Sequence, residues 1–224
     1  MFSGLGESLS NPNLEDFLRQ LSNRKISSCV ITNALAMTPA RQESLISAGI
    51  SQFQVSLHGI SDKTNRAIVS KGANLSRVKK HLENLATIRP MELRVQINFV
   101  ETADNEFERV DVQRFAQALG FDFFPRRVHS RGGTVASGRM TRKFKGCGIF
   151  GAVTFISSDG DILPCVNDVQ RSGLLGNVRD TTWNLILAEK RRVIESNAWF
   201  EMCDHCNDDY RWVLLADGGL VRRD

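Results

Sequence analysis

No run of about 18 apolar residues occurs in the 224-residue sequence, which excludes a membrane-spanning helix from the reading. The opening Met1-Phe2-Ser3-Gly4-Leu5-Gly6 has neither a basic n-region nor an apolar h-region, so no secretory signal is read. The expected compartment is therefore the cytoplasm, where thiols stay reduced. A single aromatic side chain, Phe144, falls within the main basic run, in which Arg126, Arg127, Arg131, Arg139, Arg142, Lys143 and Lys145 lie within twenty residues. With so few rings for base stacking, that run argues against nucleic acid. A solvated loop or a surface for an acidic partner such as a peptide fits it better. What remains is an ordinary globular composition, 42% hydrophobic and 24% charged with a net charge of +4. The length suits one large domain, or one large and one small.

Cysteine is sparse, and its placement is uneven. Of five cysteines, only Cys29 lies before residue 147. Cys147, Cys165, Cys203 and Cys206 remain, the last two in the run Cys203-Asp204-His205-Cys206. In a chain without an export signal, such clustering points to a metal rather than to disulfides. Two thiolates at CxxC spacing and two from a hairpin make a complete four-ligand set. The competing explanation is packing, since free cysteine is among the most buried residue types. Zinc and an iron–sulfur cluster both accept four thiolates.

The first 126 residues alternate between helical and strand periodicity. Leu14, Phe17, Leu18 and Leu21 predict a helix over 13–23 behind Asn11-Pro12, and Ile26 to Ile31 predict a buried strand ending at Thr32-Asn33. A helix over 39–48 stops at Gly49. A strand over 53–57 runs into His58-Gly59, and 61–88 reads as helix broken near Gly72. A strand over 93–100, a helix over 105–119 closed by Gly120 and a strand over 121–127 complete the series. This alternation predicts parallel β/α units. In such units polar residues at the carboxyl ends of strands share one mouth. Glu7, Thr32, Asn33, Ser56, His58, Asn98 and Arg126 or Arg127 all occupy such positions.

After Arg127 the pattern changes. Residues 129–145 contain Arg131-Gly132-Gly133 and Gly138 and no apolar period, which reads as a basic linker or lid. Strands over 150–156 and 162–164 flank the turn Ser158-Asp159-Gly160-Asp161, with a further turn at Gly176-Asn177. A helix is expected over 181–196, with Trp183, Leu185, Ile186, Leu187 and Val193 mostly on one side, and a short one through Trp212 and Leu215. A cysteine-anchored domain this small depends on a metal staple more than on its core.

The chain resembles radical S-adenosylmethionine enzymes with a SPASM or twitch-type auxiliary domain. The likeness is carried by Phe2-Ser3-Gly4-Leu5-Gly6-Glu7-Ser8-Leu9, Val30-Ile31-Thr32-Asn33, Val55-Ser56-Leu57-His58-Gly59 and Ile97-Asn98-Phe99-Val100. In the tail it is carried by Cys147, twelve residues to Gly160, four more to Cys165, and then Cys203-x-x-Cys206. The resemblance implies an α/β fold: residues 1–128 as a partial (β/α) TIM-like barrel of parallel strands lacking the first β/α unit, 129–145 as the basic lid, and 146–224 as a small α+β iron–sulfur domain. It implies that Gly6 and Glu7 hold the amino group of S-adenosylmethionine. Ser56 and Arg66 would lie near its carboxylate and ribose, and Asn33 and Asn98 would line the same pocket. Cys147, Cys165, Cys203 and Cys206 would bind one auxiliary 4Fe-4S cluster.

The sequence departs from the family at the CxxxCxxC loop, which is absent, and Cys29 reads as a core residue. The chain is accordingly expected to be the carboxyl-terminal major part of a longer enzyme. No cysteine follows Cys206, so one auxiliary cluster is the limit. The implied activity is oxidoreductive radical modification of a peptide or protein, with flavodoxin or ferredoxin as electron donor. The alternative is a non-catalytic binding module with a structural four-cysteine zinc site.

Overall fold

The structure, a computed structural model, describes residues 1–4, 6–68, 74–136 and 146–208. The readings placed on Gly72, Gly138, Arg139, Arg142, Lys143, Lys145, Trp212 and Leu215 lie outside these residues. The chain divides into two compact units, Met1–Val128 and His129–Asp224.

In the first unit, β1 (Cys29–Thr32), β2 (Gln52–Ser56), β3 (Arg94–Glu101) and β4 (Asp122–Arg127) form a parallel sheet in sequence order. Phe2 extends the β1 edge: its N–H donates to the Cys29 carbonyl at 2.7 Å, and its carbonyl accepts from Ile31 N–H at 3.0 Å. The helices are α1 (Leu14–Asn23), α2 (Pro39–Ser47), α3 (Asp62–Ile68), α4 (Leu75–Ile88) and α5 (Arg109–Ala118). Local chemistry sets their starts. Thr38 caps α2 ahead of a first-turn proline, and the Asn74 side chain accepts from Arg77 N–H at the start of α4. Helix α4 thus begins at its own cap.

Strand alternation gives the sheet two unlike faces. Phe53, Val55, Val95, Ile97 and Phe99 are buried with Leu14, Leu18, Leu45, Leu82, Leu85, Val112 and Ala116 from the helices. Each such side chain contributes about 1.5–3 kcal/mol by leaving water. Gln52, Gln54 and Ser56 on β2, and Gln96 and Asn98 on β3, alternate with these residues and occupy the opposite face.

The second unit contains α6 (Gly148–Ala152), β5 (Phe155–Ile156), β6 (Asp161–Leu163), β7 (Gly176–Asn177), α7 (Trp183–Ser196) and α8 (Glu201–Asp204). The hairpin turn between β5 and β6 is present, with Gly160 at φ +92°, where a Cβ would meet Val178 Cγ2 at 2.9 Å. Three expectations change. Residues 148–152 are helical rather than extended, because Phe150 is buried edge-on to Trp199 and Phe200. Gly176-Asn177 is a short strand antiparallel to β6 rather than a turn. On α7 the buried side is Ile186, Lys190 and Val193, while Trp183, Leu185 and Leu187 are exposed. No helix among the described residues is long and apolar enough to cross a membrane.

Candidate functional site

At the carboxyl end of β1, one carboxylate organises the backbone. Glu7 Oε1 accepts from Thr32 Oγ1 at 2.7 Å and from Leu9 N–H at 3.1 Å, and Oε2 accepts from Asn33 N–H at 2.9 Å. Thr32 Oγ1 in turn accepts from Ala34 N–H at 3.0 Å, and the Asn33 side chain accepts from Leu35 N–H at 2.9 Å. Two carboxylate oxygens offer about four acceptor positions, so Glu7 keeps capacity for one more donor. Beside it, Gly6 is exposed, and a Cβ built on it would meet nothing within 4 Å. Packing within the chain does not require a glycine there.

Ser56 and Asn98 are cross-strand partners at the ends of β2 and β3. Gln54 and Gln96, which the strand-end reading missed, complete a polar ladder with Asn98. Asn98 Nδ2 donates to Gln54 Oε1 at 3.3 Å, and Gln96 Nε2 donates to Asn98 Oδ1 at 2.6 Å. The signal was present in the strict alternation of Gln52-Phe53-Gln54-Val55-Ser56. Arg66 lies exposed on α3, with no hydrogen bond joining it to Ser56 or Asn98. The structure therefore links Glu7 to Asn33 and places Ser56 beside Asn98, while Arg66 stands apart from both pairs.

Beyond β2, His58 Nδ1 accepts from Val100 N–H at 3.1 Å, which leaves the ring proton on Nε2. Burial lowers its pKa from the usual imidazole value. Asn105 Nδ2 ties the two strand ends together by donating to the His58 and Val100 carbonyls, each at 2.8 Å. Glu108, also unforeseen, secures the following loop. Its Oε2 accepts from Ile60 N–H at 2.5 Å and Ser61 N–H at 3.2 Å, while Oε1 accepts from Thr64 Oγ1 at 2.7 Å and from Ser61 Oγ. Burial alone would raise its pKa, but the bonds from Ser61, Thr64 and the Ile60 and Ser61 amides outweigh it and lower the value.

In the second unit the four tail cysteines lie in or beside three elements. Cys147 precedes α6, Cys165 follows β6, Cys203 lies in α8 and Cys206 just beyond it, the last two each 9% exposed. Burial first, then the nearby Cys147, Cys203 and Cys206, push the Cys165 thiol up to about 12, so those three lie within electrostatic reach of Cys165. No three Cys, His, Asp or Glu side chains among the described residues close on a single ion-sized point. Residues 129–136, read from sequence as the start of a linker, support the CxxC turn. Ser130 N–H donates to Asn207 Oδ1 at 2.6 Å, and Ser130 Oγ donates to the His205 carbonyl at 2.6 Å. Gly133, at φ +92°, approaches so closely that a Cβ would meet His205 Cβ at 2.9 Å. Cys29 is half-buried on β1, and burial raises its thiol pKa as well.

Comparison with known proteins agrees with this division. The SPASM family, an iron–sulfur cluster-binding domain, matches residues 147–207. No curated protein sequence matches the chain. Among solved structures, BtrN in complex with AdoMet and 2-DOIA aligns at TM-score 0.58 and 17% identity, over 92% of this chain and 71% of that one. Streptococcus suis SuiB bound to the precursor peptide SuiA aligns at TM-score 0.60 and 17% identity, over 81% of this chain and 52% of that one. Native anSMEcpe with bound AdoMet aligns at TM-score 0.50 and 14% identity, over 88% of this chain and 72% of that one. The chain thus spans about half the length of SuiB and about seven tenths of the other two. At these identities the structural likeness establishes fold. Residues 147–207 match the SPASM iron–sulfur cluster-binding domain, and the chain has the fold of these solved structures.

Proposed function

We propose that this chain supplies the S-adenosylmethionine pocket and one auxiliary 4Fe-4S cluster of a radical enzyme that modifies a peptide or protein. The observation that carries the reading is that Cys147, Cys165, Cys203 and Cys206 all fall within the segment matching the SPASM domain, the other three near enough to Cys165 to raise its pKa. The donor set fits the group, being four sulfurs with no carboxylate among them. Four thiolates also suit a single zinc ion at about 2.3 Å, and the metal analysis below separates the two. Bound there, an iron–sulfur cluster supplies one-electron transfer.

On the first unit, the open space over Gly6 and the remaining acceptor capacity of Glu7 suit the ammonium group of S-adenosylmethionine. Asn33, Ser56 and Asn98 offer hydrogen-bonding groups for the rest of that ligand, and Arg66 offers a cation for its carboxylate. The three thiolates of a CxxxCxxC loop are not among these 224 residues, so the part assigned to this chain is binding and positioning. A peptide substrate is supported by the SuiB likeness, since SuiB is seen with a precursor peptide. A cytoplasmic setting, with flavodoxin or ferredoxin as electron donor, suits reduced thiolates.

The test is anaerobic reconstitution followed by iron, sulfide and zinc analysis and an absorption spectrum. About four irons per chain are expected, falling sharply in Cys203→Ala/Cys206→Ala. Stoichiometric zinc without iron, or iron content unchanged in that double variant, overturns the proposal.

A further inference from the structure

Parallel sheets in α/β folds normally bury apolar side chains on both faces. The two central strands here depart from that rule, since Gln52, Gln54 and Ser56 on β2 and Gln96 and Asn98 on β3 make one neutral polar patch opposite the helix-covered core. Three of the amides form an open chain. Gln96 Nε2 donates to Asn98 Oδ1 at 2.6 Å, and Asn98 Nδ2 donates to Gln54 Oε1 at 3.3 Å. The middle of this ladder is shielded, with Asn98 8% exposed, while Gln54 and Gln96 at its ends are partly exposed. Each end keeps one group without a partner among the described residues: Gln54 Nε2, a donor, and Gln96 Oε1, an acceptor. Gln54 and Gln96 pair in register across adjacent strands, so the donor and the acceptor share one face at one level of the sheet.

From this arrangement we infer that the ladder holds one residue of an extended peptide by its backbone. A residue in extended conformation offers its C=O and N–H along the same edge, the pairing that antiparallel strands use. Its carbonyl accepts from Gln54 Nε2, and its N–H donates to Gln96 Oε1. None of the five polar side chains is ionised, so the patch gives a charged group nothing to offset its lost hydration. Ile31 on β1, level with Gln54, and Phe124 on β4, level with Asn98, flank the ladder with apolar surface for that residue's side chain. The inference rests on the peptide substrate proposed above, and it assigns Gln54 and Gln96, which that proposal leaves unused, as specificity residues.

The test is a titration of the anaerobically reconstituted full chain with N-acetylalanine N-methylamide, with S-adenosylmethionine added, read by NMR at the side-chain amides of Gln54 and Gln96. Saturable shifts are expected at both amides, with a midpoint at least roughly fivefold lower than for methyl O-acetyl-lactate, which keeps the carbonyls and lacks the N–H. Gln54→Glu should raise the peptide midpoint at least roughly fivefold at an unchanged melting temperature, because one carboxylate oxygen still accepts from Asn98 Nδ2 and only the free donor is lost. The two-probe comparison uses the wild-type chain and is independent of that variant's folding. No saturable shift, equal midpoints for the two probes, a lower midpoint for inositol, or undiminished affinity in Gln54→Glu overturns the inference. Equilibrium dialysis of S-adenosylmethionine on the same sample separates it from the proposed function. Binding of S-adenosylmethionine without amide shifts overturns the ladder alone, whereas amide shifts without that binding support the ladder and overturn the pocket.

Discussion

Replacing Glu108 by Gln should unfasten the loop between β2 and α3. The carboxylate faces four donors, the Ile60 and Ser61 amides on one oxygen and the Ser61 and Thr64 hydroxyls on the other. The residue is 5% exposed, so water does not replace a lost partner. A carboxamide of the same shape keeps one acceptor oxygen and turns an NH₂ toward two of the four donors. Hydrogen bonds to a charged group contribute about 1.5–3 kcal/mol each, so losing two, with some relief from rotating the hydroxyls, costs about 3–4 kcal/mol. With a urea m-value of about 2 kcal/mol/M, the midpoint falls by about 1.5–2 M. The readouts are far-ultraviolet circular dichroism and hydrogen exchange at the Ile60 and Ser61 amides. The three tryptophans, Trp183, Trp199 and Trp212, all belong to the second unit, so fluorescence reports that unit by itself. The native pKa of Glu108 lies below its unfolded value, so its contribution is present above about pH 4.5 and is lost as pH falls through the native value. Wild type should therefore lose stability more steeply than Glu108→Gln on acidification below pH 4.5. A midpoint within about 0.3 M of wild type, or identical acid profiles, would refute the reasoning.

The remaining predictions concern the mouth. His58 should titrate below about pH 6.5, because burial disfavours its cation. Its stabilising effect is present above that pH and is lost as pH falls through the native value. An NMR titration of its Cε1 proton with a midpoint at or above 6.5 contradicts this. Gly6→Val should leave the melting temperature unchanged, since its Cβ meets nothing within 4 Å, yet weaken S-adenosylmethionine binding at least roughly tenfold by occupying the ligand's space. Equilibrium dialysis showing undiminished binding in this variant removes Gly6 from the pocket.

The fold of the first unit was legible because its burial pattern is local. A parallel strand covered by helices must bury alternate residues, so Phe53, Val55, Val95 and Ile97 stand out beside their polar neighbours. The cysteine tail was legible for a chemical reason, since thiolate ligands leave a spacing that does not depend on neighbouring structure. Other features depend on residues far apart in the chain. Residues 150–152 read from sequence as the start of a strand over 150–156, whereas 148–152 form a helix with Phe150 packed against Trp199 and Phe200. Glu108 reads as a surface acid of an amphipathic segment, yet its partners lie 44 to 48 residues earlier.

The sequence by itself determined the order of β/α units, the polar strand ends and the clustering of four cysteines in the tail, because each is written in short periods or in residue type. Only the tertiary structure decided that Glu7 spends most of its acceptor capacity on Thr32, Leu9 and Asn33, that residues 129–136 brace the CxxC turn, and that buried His81 holds the Ala34 carbonyl. The physical reason is that a buried polar group must find a partner, and only the folded chain determines which group is within reach.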